Sequence, residues 1–452
     1  MGDKDRGAIR LTHVCRAWRG IFVSQPSLWT KFDCRSVDKT HTYLERSKSS
    51  PINLSLNRDR DLSPNDPFLQ IIPHVIGRLK YLSVKGKPEN LQDVTAHLSR
   101  PAPLLEYLSV HGGCEYAPQR SPMLTSPLFD EDLSSLRELR LTSVRTELPW
   151  RNMVNLTSFT LAYMPPDEDS IRHLLDFFES APRLSEVHLD ATTPTSGAQN
   201  GRMVSLTCLK RMSILGSEPS SLLLDHLLIP IGAELTTRVD FLGPLIEDHF
   251  PRSLDNLRNL PDFTEIHLYA GDWHPRVQFS GPNGRVAMVP VVAQLSETTQ
   301  VVLESLDRFD TSRVERLEMD HGDPFSGDLF YQTLSPMRGL RTLTLSRCRN
   351  LHTFIDALHP STSLEDVVCP ELEELVLVLR LDREALDIDG IVEMAAARAS
   401  RGAKLKSVRI VSHDEAMRTD ALELKKHVSR VKYGPNAGGA DDDSEDDEEE
   451  ET

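Results

Sequence analysis

The sequence predicts an α/β solenoid, a stack of short strands joined by returning segments that are often helical. Three observations predict it. One pattern, apolar-x-x-apolar-x-apolar, occurs eleven times between residues 79 and 410. Its last two apolar positions lie two apart, the period of a strand with one buried face. Stretches with apolar residues at helical spacing separate several of the hexamers. A single such unit cannot bury its own apolar face, so neighbours must stack in register.

The hexamers are "LKYLSV" (79), "LEYLSV" (105), "LRELRL" (136), "LTSFTL" (156), "LSEVHL" (184), "LKRMSI" (209), "FTEIHL" (263), "VERLEM" (314), "LRTLTL" (340), "LEELVL" (372) and "LKSVRI" (405). Most successive starts lie 20 to 33 residues apart, and the two larger gaps, 54 and 51, are each close to two units. "ELTTRVDF" near 235 and "GRVAMVPVV" near 285 are candidates for degenerate units inside those gaps. One unit, "LRTLTLSRCRNL", places Leu340, Leu343, Leu345, Cys348 and Leu351 close to the cysteine-containing leucine-rich-repeat template. The others lack Asn or Cys at the Cys348 position. The expectation is therefore an irregular leucine-rich-repeat horseshoe over 51–433, without a continuous polar ladder.

Between strands, "PPDEDSIRHLLDFFESAP" reads as a helix with Asp167 or Asp169 as cap and Ile171, Leu174, Leu175 and Phe178 as its apolar stripe. "LQDVTAHL" repeats the idea with Leu91, Val94 and Leu98. "VQFSGPNGRVAMV" reads as a hairpin, because Pro-Asn-Gly separates two apolar stretches, so the array is interrupted near 275–292. Met417, Ala421, Leu424, Val428 and Val431 fall at helical spacing and predict a helix that caps the last unit. "GPNAGGA" then leads to an acidic tail, and residues 434–452 are expected to be a flexible linker and a disordered tail.

At the N-terminal side, Leu11, Val14, Cys15, Trp18, Ile21 and Phe22 fall on one helical face, and Pro26 suits the first turn of a second short helix carrying Leu28 and Trp29. By periodicity alone this is a helical cap on the first strand, "INLSL", whose Ile52, Leu54 and Leu56 share a face. The residues "LTHVCRAWRGIFVSQPSLWTKFD", followed by "YLERSKSSPINLSL", resemble the F-box-like proteins of mushroom-forming fungi, in which an F-box precedes irregular leucine-rich repeats. The likeness is close over residues 9–56 and architectural beyond. It implies that residues 1–50 are an F-box-like helical segment docking on the Skp-family adaptor of a cullin-type (SCF) ubiquitin ligase. It places Leu11 to Phe22 on the middle helix and Pro26 to Trp29 on the last. The adaptor-binding residues it implies are Leu11, Val14, Cys15, Trp18, Pro26, Leu28 and Trp29. The family's first helix opens Leu-Pro followed by acidic and aliphatic residues. Here "MGDKDRGAIR" stands in that place, so the F-box is read as truncated at its N-terminus.

In each strand the residues flanking the apolar pair face away from the core. The richest sets are Tyr107, Ser109 and His111; Glu138, Arg140 and Thr142; Glu186, His188 and Asp190; Glu265, His267 and Tyr269; and Arg316, Glu318 and Asp320. Taken singly, each reads as a solvated sheet residue. As a row they are the candidate surface for a protein substrate, because solenoids commonly hold extended partners there. "LEELVLVLRLD" breaks the rule with Val376 and Val378, which predicts that a terminal helix or loop covers them.

The remaining observations are exclusions. Net charge is −17, but the tail "DDDSEDDEEEE" holds ten acidic residues; without them 58 acids face 51 bases, a balance of −7. No basic stripe points to nucleic acid, and no apolar run approaches the roughly 20 residues of a membrane span. Six cysteines without a C-x-x-C pattern fit reduced thiols, and no secretory h-region is present, so a cytoplasmic or nuclear setting is expected. No G-x-S-x-G, P-loop, G-x-G-x-x-G or H-E-x-x-H occurs. His188 with Asp190, and His321 with Asp323, supply only two ligands each where zinc needs at least three. "GDWHP" at 271 reads as a packed turn. Neither an enzyme nor a cofactor or metal is expected. Ser444, followed by acids, matches an acidophilic-kinase site, or is an incidental serine in a solubilising tail. Alternatives to the ligase reading are a repeat scaffold without ligase link and a GTPase-regulating leucine-rich-repeat protein, whose repeats are more regular and Asn-bearing than these.

Overall fold

Each of the eleven hexamers runs into a β-strand, and the reason is local. Alternating apolar residues give a short segment one face to bury, and β-branched or bulky side chains fill it. The computed structural model describes residues 12–435 except 34–35, 59–66, 114–122, 125–127, 132, 147–151, 164–169, 192–200, 217–219, 240–249, 261, 270–275, 283, 291–299, 301–302, 305, 321–325, 349–350, 361–366, 380–387 and 413–422. The architecture is mixed α/β, with extensive and mostly parallel strand pairing. The chain divides into two compact units: Met1–Asp240 with Asp248–Asn259, and Phe241–Glu247 with Leu260–Thr452.

In the first unit nine strands pair in chain order, all parallel. They are β1 (Lys31–Asp33), β2 (Ile52–Arg58), β3 (Leu79–Gly86), β4 (Tyr107–His111), β5 (Glu138–Thr142), β6 (Ser158–Ala162), β7 (Glu186–Asp190), β8 (Arg211–Gly216) and β9 (Glu234–Val239). The register aligns Leu54, Leu82, Leu108, Leu139, Phe159, Val187, Met212 and Leu235 in one buried column, so successive units continue a single core. β9 is the unit expected from "ELTTRVDF". Helix Ser170–Ser180 buries Ile171, Leu174, Leu175, Phe177 and Phe178, and the Phe177 ring lies 4.2 Å from that of Phe159. Asp167 and Asp169, its expected caps, lie outside the described residues. Helix Pro88–Ala96 starts on proline and buries Leu91 and Val94, with Leu98 buried just beyond.

In the second unit, β10 (Glu265–Tyr269), β11 (Arg276–Gly281) and β12 (Gly284–Pro290) form an antiparallel meander. The residues near 285 thus belong to the hairpin and not to a further parallel unit. Gly281 is required at its position, since a Cβ there would come within 2.7 Å of the Phe263 Cα. β13 (Arg316–Asp320) pairs parallel with β10, and β14 (Thr342–Ser346), β15 (Glu374–Val378), β16 (Ser407–Val411) and β17 (Arg430–Tyr433) follow in order. β17 corrects the sequence reading. Val431 lies in a strand, and only Leu424–Lys426 forms a 3-10 turn where a helix over 417–431 is expected. Val428 and Val431 match helical spacing by coincidence, and their β-branched side chains favour the sheet. Met417 and Ala421 lie outside the described residues.

Two repeated devices escaped the sequence. The residue after a strand often takes a left-handed turn without glycine: φ is 53° at Ser143, 55° at Tyr163, 47° at Ala191 and 53° at Arg347. Each of their N–H groups donates to the neighbouring unit, as in Ser143 to the Ala162 carbonyl at 2.8 Å and Tyr163 to that of Asp190 at 2.7 Å. The second device is a side-chain ladder ahead of the strands. Ser135 donates to the Pro103 carbonyl (2.6 Å), Asn155 to Ser134 (2.7 Å), Thr157 to Arg137 (3.0 Å) and Ser185 to Thr157 (2.9 Å). This ladder runs before the strands and over neighbouring strands of the first unit only, whereas the offset of Cys348, where no continuous ladder is expected, lies after them. Cys348 itself is buried, its thiol 3.6 Å from the Met319 carbonyl.

Candidate functional site

The N-terminal segment presents the clearest apolar surface. A helix spans Arg16–Ser24, so it begins later than the sequence implies. Cys15 is extended and acts as its N-cap, with Sγ accepting from the Trp18 N–H at 3.5 Å, and Arg19 Nε donates back to the Thr12 carbonyl at 2.8 Å. That turn removes Val14 and Cys15 from the helix; Leu11 lies outside the described residues. No residue of the helix is buried. Val14 is 62 % exposed, Ile21 58 %, Trp18 46 % and Leu28 36 %. Four large apolar side chains in a 15-residue stretch therefore face solvent, where burial of each would stabilise a complex by about 1.5–3 kcal/mol.

Trp29 does not share that surface, which corrects its grouping with the adaptor-binding residues. It is fully buried. Pro26 opens the 3-10 turn Pro26–Trp29 and drives the indole inward, where Nε1 donates to the Phe22 carbonyl at 2.9 Å. Tyr43 meets the ring edge-on at 5.1 Å, and the Arg46 guanidinium stands 4.3 Å from its centroid. Trp29 anchors the segment to helix Val37–Ser47, and Trp18, Val14 and Ile21 are left free of the core.

The strands' second face carries the polar rows. In the first unit, Tyr107, Arg140, Glu186, His188 and Asp190 all stand opposite the buried column, as alternation requires. The register places Tyr81 beside Tyr107, and their rings stack at 4.1 Å with 5° between planes. Burial first, then the hydrogen bond to Tyr107, pushes the Tyr81 phenol up to about 12. Arg140 stands 5.8 Å from the Tyr107 ring and pairs with Glu138 at 2.6 Å; Arg211 pairs with Glu186. A depression of 260 Å³ lies between Arg140, Thr160, Glu186, His188, Arg211 and Glu234. A larger groove of 600 Å³ follows the ladder ahead of the strands, lined by Lys80, Leu104, Glu106, Arg137 and Arg183 among others. Tyr81, Arg211 and Glu234 were not singled out in sequence, although they occupy the same offsets as Tyr107, Glu186 and Glu138.

In the second unit, β10 and β13 bring together Glu265, His267, Tyr269, Arg316, Glu318 and Asp320. His267 Nδ1 lies 2.9 Å from Glu318 and Nε2 3.5 Å from Glu265. Asp320 is clasped by both arms of Arg347. Tyr269 is 44 % exposed. Val376 and Val378 are half-buried, between Thr344 and Ser346 on one strand and Arg409 and Val411 on the other. The Arg409–Glu374 pair at 2.5 Å stands alongside them.

These faces offer hydrogen bonds, paired charges and aromatic surface, the chemistry of recognition. Among the described residues no group of three or more His, Cys, Asp or Glu is placed to hold a metal ion, and no helix is long and apolar enough to cross a membrane. "GDWHP", His321, Asp323 and Ser444 lie outside the described residues. Compared with known proteins, the chain matches no family model and no curated protein.

Proposed function

We propose that this chain is a substrate-recognition subunit of a cullin-type (SCF) ubiquitin ligase. The N-terminal segment serves as an F-box-like module for a Skp-family adaptor, and the strand array, read as an irregular leucine-rich-repeat solenoid, holds a protein substrate on its polar face. The observation that carries this reading is the solvent-facing set Val14, Trp18, Ile21 and Leu28, attached through buried Trp29 to a sheet with one apolar and one polar side. An isolated soluble helix rarely leaves that much apolar surface open unless a partner covers it. Mixed-charge rows such as Glu138–Arg140 and Glu186–Arg211 suit a polar protein surface better than a small apolar ligand.

Co-expression with the adaptor and affinity capture tests the proposal. The chain should retain the adaptor, and Trp18→Ala with Ile21→Ala should release it. Arg140→Glu with Arg211→Glu should keep the adaptor and lose proteins captured by the wild-type chain. Failure of the wild-type chain to retain any Skp-family adaptor would leave the second reading, a binding scaffold with no ligase link.

A further inference from the structure

The last part of the second unit is basic, in a chain whose net charge is −17. From 401 to 433 the sequence holds nine Lys and Arg against four Asp and Glu, a local balance of +5. The structure gathers most of these cations. β17 pairs with β16 so that Arg430 stands beside Ser407 and Lys432 beside Arg409, on the polar face. Lys404 and Lys406 are exposed at the entry to β16, and Lys425 and Lys426 are exposed on the turn that leads into β17. Lys406 reaches Glu373, and Lys426 reaches Glu423. Lys404 and Lys425 make no ion pair with any described residue. Seven residues, "GPNAGGA", separate this ridge from ten acidic residues within 441–451.

We propose that the acidic segment 441–451 binds back onto the ridge of Lys404, Lys406, Lys425, Lys426, Arg430 and Lys432. Seven residues of Gly-rich composition have a root-mean-square reach of roughly 15 Å as a chain, enough to return to strand β17 that they directly follow. Tethering sets an effective concentration on the order of 1 mM, so several exposed pairs, each worth only a few-fold, suffice together. Opposite charges within a Debye length of about 10 Å at 0.1 M salt attract before they touch. The tail thereby shields the ridge from other anionic partners, and salt weakens the contact. Phosphorylation of Ser444 adds about −1.5 to −2 charges at its centre and tightens it.

The test uses the full chain, a chain lacking 441–452, and a labelled synthetic peptide of the tail followed by fluorescence anisotropy. The peptide should bind the shortened chain at least about tenfold more tightly than the full chain, whose own tail competes. Raised salt should weaken that binding. Lys425→Glu with Lys426→Glu, and separately Lys404→Glu with Lys406→Glu, should each weaken it by about tenfold. Carbodiimide should couple tail carboxylates to Lys425 or Lys426 within the full chain. Equal binding by both chains, indifference to both charge reversals, or binding of anionic vesicles but not of the peptide would overturn the proposal.

Discussion

Arg398 offers the sharpest test of how the second unit is held together. It sits on helix Ile388–Ser400 and is fully buried. Nη1 donates to the Val368 carbonyl at 2.7 Å and more distantly to Leu358 at 3.4 Å; Nη2 donates to Cys369 at 2.7 Å. These bonds tie the helix to the chain just ahead of β15, where Cys369 takes a left-handed turn at φ 47°. The Cys369 carbonyl also accepts from Leu372 at 3.0 Å, whereas that of Val368 accepts from no other described group. Burial pushes the Arg398 pKa down and raises that of the Cys369 thiol to about 12, both signs of a dry site. Bonds from a charged donor contribute about 1.5–3 kcal/mol each after desolvation is counted. Arg398→Met keeps the volume and loses both short bonds, so it should destabilise by about 3 kcal/mol. Arg398→Ala adds a cavity and should cost about 2 kcal/mol more. Urea unfolding combined with hydrogen exchange read on Ile388–Ser400 and Ser407–Val411 isolates the effect to this unit, since two units need not unfold together. Replacing a buried ion by an apolar side chain is often neutral or stabilising when both partners are replaced. Here the carbonyls remain, so an Arg398→Met chain as stable as wild type would refute the reasoning.

Three further outcomes follow from the same geometry. The two N-terminal tryptophans should behave oppositely: Trp29→Ala should cost about 3–5 kcal/mol of stability, and Trp18→Ala should stay within about 0.5 kcal/mol, a contrast that urea midpoints will settle. Tyr81 has its folded pKa raised from 10.0 to about 12, so its neutral form is favoured in the fold; that stability is complete below pH 10 and is lost as pH rises toward 12. A Tyr81→Phe chain should lose less stability over that window, and identical pH slopes would contradict the stacked, bonded pair. Ala191→Gly should raise stability by roughly 0.5–1 kcal/mol, because glycine relieves the left-handed cost at φ 47° and gives part of it back in chain entropy; a lower melting temperature would contradict the repeated turn.

The strands were legible because their signal is local. Pairs such as Leu108 with Val110, or Leu343 with Leu345, need only alternation and neighbours to bury against. The hairpin was legible for the same reason, from apolar stretches around Pro282–Gly284. The left-handed turns were not, because Ser143, Tyr163, Ala191 and Arg347 carry none of the glycine that usually marks them; hydrogen bonds to the next unit impose the conformation. The ladder was hidden because Ser135, Asn155, Thr157 and Ser185 differ in type and share only a job, capping a carbonyl one unit back. Among site residues, the polar row followed from alternation, but its pairings depend on cross-strand register, which no single hexamer contains. Trp29 shows the limit most directly. Trp18 and Trp29 look alike in a helical pattern, and only the 3-10 turn after Pro26 sends one inward while the other stays open.

The exposed apolar side chains Val14, Trp18, Ile21 and Leu28 are proposed as the docking surface. Isothermal titration of the intact chain with a purified Skp-family adaptor tests it most directly, beside Trp18→Ala and Ile21→Ala variants checked for unchanged unfolding midpoints. Saturable one-to-one binding by the intact chain, weakened at least about tenfold by each variant, is the predicted result. Absence of binding by the intact chain, or binding indifferent to both substitutions, would contradict it.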